Sequence, residues 1–207
     1  MPLQPIAALA TGYIVPNRFV MMDISPLASQ VTYTTPLPAT TTLGGAGGFH
    51  IIQAVAQGTS VTGWSGNANN MTGSSVGISA DGTNYPPIND PSIFPSGILG
   101  ILAAPGQWCK IFCAGSSDVL LEMAAACNIG DFLAPVGGNI NQTLSAGALG
   151  DNTSGRGTPL NIGATSAGLF YGARALQFCT GGNSGVGNPP QLEKIRVEII
   201  EGMYTHS

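Results

Sequence analysis

The chain is 207 residues long and carries only six Lys or Arg and ten Asp or Glu, 8% charged against roughly 25% in an ordinary soluble domain. A net charge of -4, a pI near 4.8 and no Lys/Arg cluster leave no electrostatic footprint for nucleic acid or an anionic bilayer, so neither is expected as a partner. With 30 Gly and 15 Pro the chain is poor material for long helices, yet 43% apolar residues allow a packed core, and the low charge argues against a solvated disordered tail.

The first twenty residues have no basic side chain before Arg18 and carry Pro2, Pro5 and Pro16, which fits neither a secretory signal nor a transit peptide. No run of about 18 apolar residues occurs, so no transmembrane helix is expected. Strands are predicted over Arg18 to Asp23, Gln30 to Thr34 and Phe49 to Ala56. Between Ile24 and Ala80 no charged residue occurs, and up to Cys109 only Asp81 and Asp90 appear. The Thr/Gly-rich tract 32–48 and the Gly/Asn-rich tract 66–75 read as long loops on a β scaffold.

Further strands are predicted over Ile98 to Ala103, Gln107 to Ala114, Phe132 to Val136, Leu169 to Phe178 and Lys194 to Ile200. In the last, Ile195, Val197 and Ile199 alternate with Lys194, Arg196 and Glu198, giving one buried and one wet face. Residues 118–130 are ambiguous. Ser117 or Asp118 could cap a short helix that stops at Gly130, but a strand through Val119 to Leu121 followed by a helical turn is preferred. The expected fold is all-β: a compact barrel-like or sandwich-like body with long Gly/Thr/Asn-rich loops and at most one short helix.

Candidate chemistry is sparse. Gly73-Ser-Ser75-Val-Gly77 matches the G-x-S-x-G nucleophile elbow, but no helix pattern or parallel βαβ series follows, and a Gly/Ser turn is the preferred account. Asp81 and Asp90 could pair as calcium ligands or a glycosidase acid and base, though Asp81-Gly82 and Asn89-Asp90-Pro91 are turn signals first. Asp131 reads as a tight-turn residue, and Glu122, Glu193, Glu198 and Glu201 as surface charges. Trp64, Trp108, Tyr85 and Tyr171 could stack on sugars, with core and interface packing the stronger reading.

Cys109 and Cys113 fall on one predicted strand, where ~3.3 Å per residue separates their Cα atoms by ~13 Å, too far for a mutual disulfide or a shared zinc ion. With Cys127 and Cys179 they are expected to be buried free thiols. His50 and His206 stand far from them in sequence, so no metal site is expected. The sequons at Asn70, Asn141 and Asn152 read as chance products, and the Gly-rich runs 44–48 and 181–187 fit no phosphate-binding loop. No catalytic residue, cofactor or metal ligand emerges, and the sparse charge points to a surface largely covered by partners.

Six segments, in order, carry a resemblance: Ile14-Val-Pro-Asn-Arg-Phe-Val-Met-Met-Asp23, Phe49-His-Ile-Ile-Gln-Ala-Val-Ala-Gln-Gly58 and Ile129-Gly-Asp-Phe-Leu-Ala-Pro135, then Gly155-Arg-Gly157, Tyr171-Gly-Ala-Arg-Ala-Leu-Gln177 and Ile195-Arg-Val-Glu-Ile199. Together they make the chain resemble the head decoration, or capsid cement, proteins of tailed bacteriophages. The resemblance implies a non-enzymatic, β-rich homotrimer made in the host cytoplasm. It would bind the outer surface of the assembled virion capsid and clamp neighbouring major capsid subunits. On that basis residues 1–16 are expected as an extended N-terminal arm that docks on a capsid subunit, residues 17–207 as the body, and residues 58–95 as an exposed loop or knob. The competing expectations are a carbohydrate- or receptor-binding β module of a tail or fibre, and a serine hydrolase using Ser75.

Overall fold

The computed structural model of the chain describes residues 4–10, 12, 14–23, 50–54, 56–57, 75–82, 102–103, 107–136, 155–160, 168–180 and 193–204. Within them the protein is all-β, with ten strands and no helix. Strands β1 (Ile6–Ala10), β2 (Phe19–Met22), β3 (His50–Gln53), β4 (Gly77–Ser79) and β5 (Trp108–Phe112) close into a barrel in the order β1-β3-β2-β4-β5. Strand β1 runs parallel to β3, and β5 returns to pair antiparallel with β1. Strands β6 (Val119–Glu122), β7 (Phe132–Val136), β8 (Arg156–Pro159), β9 (Leu169–Ala175) and β10 (Lys194–Tyr204) form an antiparallel sheet in the order β6-β10-β9-β7-β8. Its outer strands touch as well: Met123, just past β6, bridges Gly157 of β8, and Ala124 N–H donates to the Gly157 carbonyl at 2.8 Å. A sheet joined in this way exposes little unpaired edge for unwanted strand addition.

Two apolar clusters fill this framework. One occupies the barrel: Ala8, Ala10, Ile14, Val20, Ile51, Leu102, Ala103, Cys109 and Ile111. The other joins barrel to sheet, with Phe19, Met21, Ile52, Ala54 and Ile78 packed against Leu121, Leu133, Ala173, Ile195, Val197 and Ile199 among others. Side chains alternate between faces along a strand, so β2 gives Val20 to the first cluster and Phe19 and Met21 to the second; β3 divides Ile51 and Ile52 the same way. These strands are buried on both faces, which is why Phe-Val-Met-Met and His-Ile-Ile-Gln show no polar alternation. Fully burying each large side chain is worth about 1.5–3 kcal/mol of transfer free energy. Strands with one wet face keep the alternation: β5 exposes Trp108 and Lys110 while burying Cys109 and Ile111, and β10 buries Ile195, Val197 and Ile199.

Several expectations need correction. The N-terminal arm does not stand apart from the body. Residues Ile6–Ala10 are β1, hydrogen-bonded to two barrel neighbours, with Ala8, Leu9 and Ala10 buried, and Ile14 bridges Ala103. Pro2, Pro5 and Pro16 fall outside that strand, and the apolar Ile-Ala-Ala-Leu-Ala run between them pairs freely. The knob expected over 58–95 is interrupted by β4, a short strand with all three residues buried between β2 and β5; its other residues lie outside the described ones, apart from 75–76 and 80–82.

The preferred strand through Val119 to Leu121 is present as β6, and the helical turn expected after it does not form. Asp118 adopts a left-handed φ of 59° as a strand entry rather than a helix cap, β6 runs from Val119 to Glu122, and bends and turns lead to Gly130 at φ 93°. Long-range pairing of β6 with β10 outweighs the local helix preference of Leu, Glu, Met and Ala. The Phe132–Val136 strand lies as expected, and the closing strand extends to Tyr204 because a register shift between Ile199 and Gly202 absorbs the break in alternation. The strand expected over Gln30 to Thr34 and most of that over Ile98 to Ala103 lie outside the described residues.

Candidate functional site

Where barrel and sheet meet, three charged side chains are almost wholly removed from solvent: Arg18 is 1% exposed, Glu122 4% and Arg156 5%. The turn that places Arg18 depends on Asn17, which takes a left-handed φ of 56° that Asn tolerates better than most residues. Arg18 N–H donates to Ser79 Oγ of β4 at 3.0 Å, and Ser79 N–H donates to the Arg18 carbonyl at 2.9 Å. From the sheet side, Glu122 N–H donates to the Asn17 carbonyl at 2.8 Å, and Lys194 Nζ donates to Asn17 Oδ1 at 2.7 Å.

Glu122 Oε1 accepts from Arg18 Nη2 at 2.9 Å and from Arg156 Nε at 2.7 Å. Arg156 reaches it because Gly155, at φ 78°, turns the chain into β8 against Phe19; its carbonyl accepts from Phe19 N–H at 2.7 Å. A Cβ on Gly155 would run into the Gln53 amide and lie 2.6 Å from the Phe19 carbonyl oxygen, so only glycine fits here.

One carboxylate held by two guanidiniums ties the barrel to the sheet, so the cluster is a lock between them. The surface role expected for Glu122 is therefore corrected, since its position in β6 carries it into the seam. The sequence did hold a hint: two of only six cations, Arg18 and Arg156, stand alone in neutral or glycine-flanked segments where no surface role is evident.

Beside the lock, a cleft of about 330 Å³ has Phe112, Val119 and Leu120 among its lining residues, with Asn17, Asp81, Ser116, Ser117 and Asp118 as its polar part. Asp81 closes its own turn, accepting from Gly82 N–H at 3.0 Å, and Asp118 lies 3.5 Å from Arg196. Among the described residues no His or Cys lines the cleft. Asp90, the other half of the carboxylate pair, lies outside the described residues.

Ser75 is buried, with Phe19 and Ser75 Oγ itself both crowding the space above Gly172, and its Oγ has no hydrogen-bond partner among the described residues. It precedes a short strand rather than a strand-to-helix turn, so the exposed nucleophile of an elbow is not formed. Asp131 does close a turn, accepting from Asn128 N–H at 2.8 Å. Glu193 accepts from the Thr180 N–H and hydroxyl, each at 3.0 Å, and Glu198 pairs with Arg174.

Of the four aromatics, Trp64 and Tyr85 lie outside the described residues. Trp108 belongs to the barrel and is 57% exposed, so it does not pack in the core; Tyr171 belongs to the sheet, its ring 4.6 Å from that of Phe132. The structure thus does not bring these two together as a stacking platform. All four cysteines are free; Cys109, Cys127 and Cys179 are buried and Cys113 is partly exposed. Among the described residues no group of three or more His, Cys, Asp or Glu could hold a metal ion.

Large apolar side chains on the surface are the remaining candidates for contact with partners. Besides Trp108, Ile129 is 70% exposed and Phe178 57%, on two turns that the Cys127–Cys179 bridge sets side by side. Compared with models of protein families, with curated proteins and with solved structures, the chain finds no match.

Proposed function

We propose that the chain is a structural virion protein that binds the outer surface of the assembled phage capsid, most simply as a homotrimer, and cements neighbouring major capsid subunits. The reading assigns it no catalysis, cofactor, nucleic acid or membrane. The observation that carries it is the pairing of a locked β body with exposed Trp108, Ile129 and Phe178, apolar groups suited to burial against another protein. Two segments of the family resemblance, Ile14 to Asp23 and Gly155-Arg-Gly157, meet at Glu122, so the resemblance includes residues that build the lock. With residues 6–10 inside the barrel, docking through a free arm over 1–16 is replaced by docking through the faces of the body. Three copies engaging together would turn modest contacts into tight attachment.

The test is to purify the protein, measure its oligomeric mass, and mix it with expanded capsids and with unexpanded precursors. A trimer that adds to expanded shells alone supports the reading; a monomer that adds to neither sinks it. A second reading, a glycan- or receptor-binding module, draws on Trp108, because an exposed indole on a rigid strand is a surface on which sugars stack. Glycan binding lost in Trp108→Ala, with no capsid addition by the parent protein, would favour it.

A further inference from the structure

We propose that Cys127 and Cys179 are a disulfide-forming site, two thiols held in register for oxidation by a low-molecular-weight disulfide. The proposal does not depend on the capsid reading. The two residues form an isolated antiparallel bridge in which each N–H donates to the other's carbonyl at 3.0 Å. Such a reciprocal pair sets the Cα atoms about 5.5 Å apart with both side chains on one face, inside the ~4.4–6.8 Å span that a disulfide needs. Nothing else in the chain repeats this arrangement among the described cysteines, since Cys109 and Cys113 share one strand and its following residue and cannot face each other.

Both thiols are buried, and burial, followed by the nearby Cys179 and Asp131, pushes the Cys127 thiol up to about 11. Cys179 Sγ donates to Glu193 Oε2 at 3.3 Å. In the closed structure the pair is therefore slow to react. The cover is thin, however: Ala126, Asn128, Phe178 and Thr180, the immediate neighbours of the two cysteines, are all exposed. Local opening of this short bridge exposes the sulfurs without unfolding the sheet.

The chemistry balances as thiol–disulfide exchange. The first cysteine, as thiolate, attacks one sulfur of the oxidant RSSR, forming a mixed disulfide and releasing one RS⁻. The second thiolate attacks the protein sulfur of that mixed disulfide, forming the Cys127–Cys179 bond and releasing the second RS⁻. The protons lost by the two cysteines end on the two released thiols, and the oxidant takes up two electrons. The new bond closes a loop that holds β7, β8 and β9, tying together the part of the sheet that carries Arg156.

The reduced full-length protein is incubated with oxidised glutathione and examined by intact mass, non-reducing peptide mapping and thermal melting. The expected product is lighter by two hydrogen atoms, yields one cross-linked peptide pair containing Cys127 and Cys179, and melts roughly 5–15 °C higher, as expected for closing a loop of roughly 50 residues. Reductant reverses the shift, and Cys179→Ala instead leaves glutathione on Cys127. Persistence of both thiols, a bridge through Cys109 or Cys113, a stable mixed disulfide in the parent protein, or a bridge that leaves melting unchanged would each overturn the proposal.

Discussion

Replacing Glu122 by Gln tests the lock directly, because it keeps the shape of the side chain and removes one charge. In the parent protein the carboxylate sits between two guanidiniums, with all three side chains no more than 6% exposed. Water cannot take over the role of counter-ion at that depth, so the substitution removes the carboxylate charge that both guanidiniums share. Removing one partner of a buried ion pair costs about 3–5 kcal/mol, a large share of the 5–15 kcal/mol by which a typical domain is stable. For a protein of this size that loss lowers the melting temperature by roughly 6–20 °C. The control is Arg174→Ala, which breaks the pair with Glu198; those side chains are 47% and 31% exposed, and such a surface pair is worth about 0–1 kcal/mol. Urea unfolding followed by tryptophan fluorescence and circular dichroism measures both variants. A second arm replaces Arg18, Glu122 and Arg156 together by Met, Leu and Met, which removes the three charges of the cluster and is expected to recover much of the loss. A Glu122→Gln variant no less stable than Arg174→Ala would refute the lock.

Other consequences follow from single positions. Gly155→Ala places a methyl group on a residue at φ 78° against Gln53 and the Phe19 carbonyl, and should cost roughly 1–3 kcal/mol or more in urea unfolding; an unchanged midpoint would show that β8 can shift. Ser75→Ala removes a buried hydroxyl with no hydrogen-bond partner among the described residues, so stability should hold or rise by up to about 1 kcal/mol, and a fluorophosphonate probe should not label the parent protein; labelling at Ser75 would revive the hydrolase. Burial pushes the Cys109 thiol from 9.0 up to about 11, so at pH 8 iodoacetamide should alkylate it roughly 100-fold more slowly in the folded than in the unfolded chain. Because the folded state keeps that proton longer, the associated stability is complete below about pH 9 and is lost as pH rises toward 11. Equal alkylation rates in the two states would contradict the burial.

Fold class was legible in the sequence because the turn formers and short apolar runs carry it locally. Phe132–Val136 could be read directly from its bounding residues, and Lys194 to Ile200 from strict alternation. What escaped notice lies in long-range pairing. The strand Ile6–Ala10 is short and framed by prolines, and only its pairing with β3 and β5 makes it part of a barrel. In 118–130 the strand was legible, but the composition allowed a helix as well, and only the pairing of β6 with β10 decides between them. Glu122 looked like a surface charge because the sequence shows a carboxylate among apolar residues but not the two guanidiniums, from segments far away along the chain, that meet it.

Part of the scarcity of charge has its cause within the fold. Among the described residues between Ile24 and Cys109, Ile51, Ile52, Ala54, Ile78, Leu102, Ala103 and Cys109 are buried within the protein itself. Neutrality at these positions follows from strands covered on both faces and requires no partner. The argument for assembly therefore cannot rest on the average composition of the first half of the chain. It rests on residues that the fold could have made polar at no internal cost. Trp108, on the wet face of β5 beside Lys110, and Ile129 and Phe178, on adjacent turns, stand outside both apolar clusters. If the body docks through exposed apolar groups, the capsid reading is tested at these three positions rather than at the neutral segments that first suggested it.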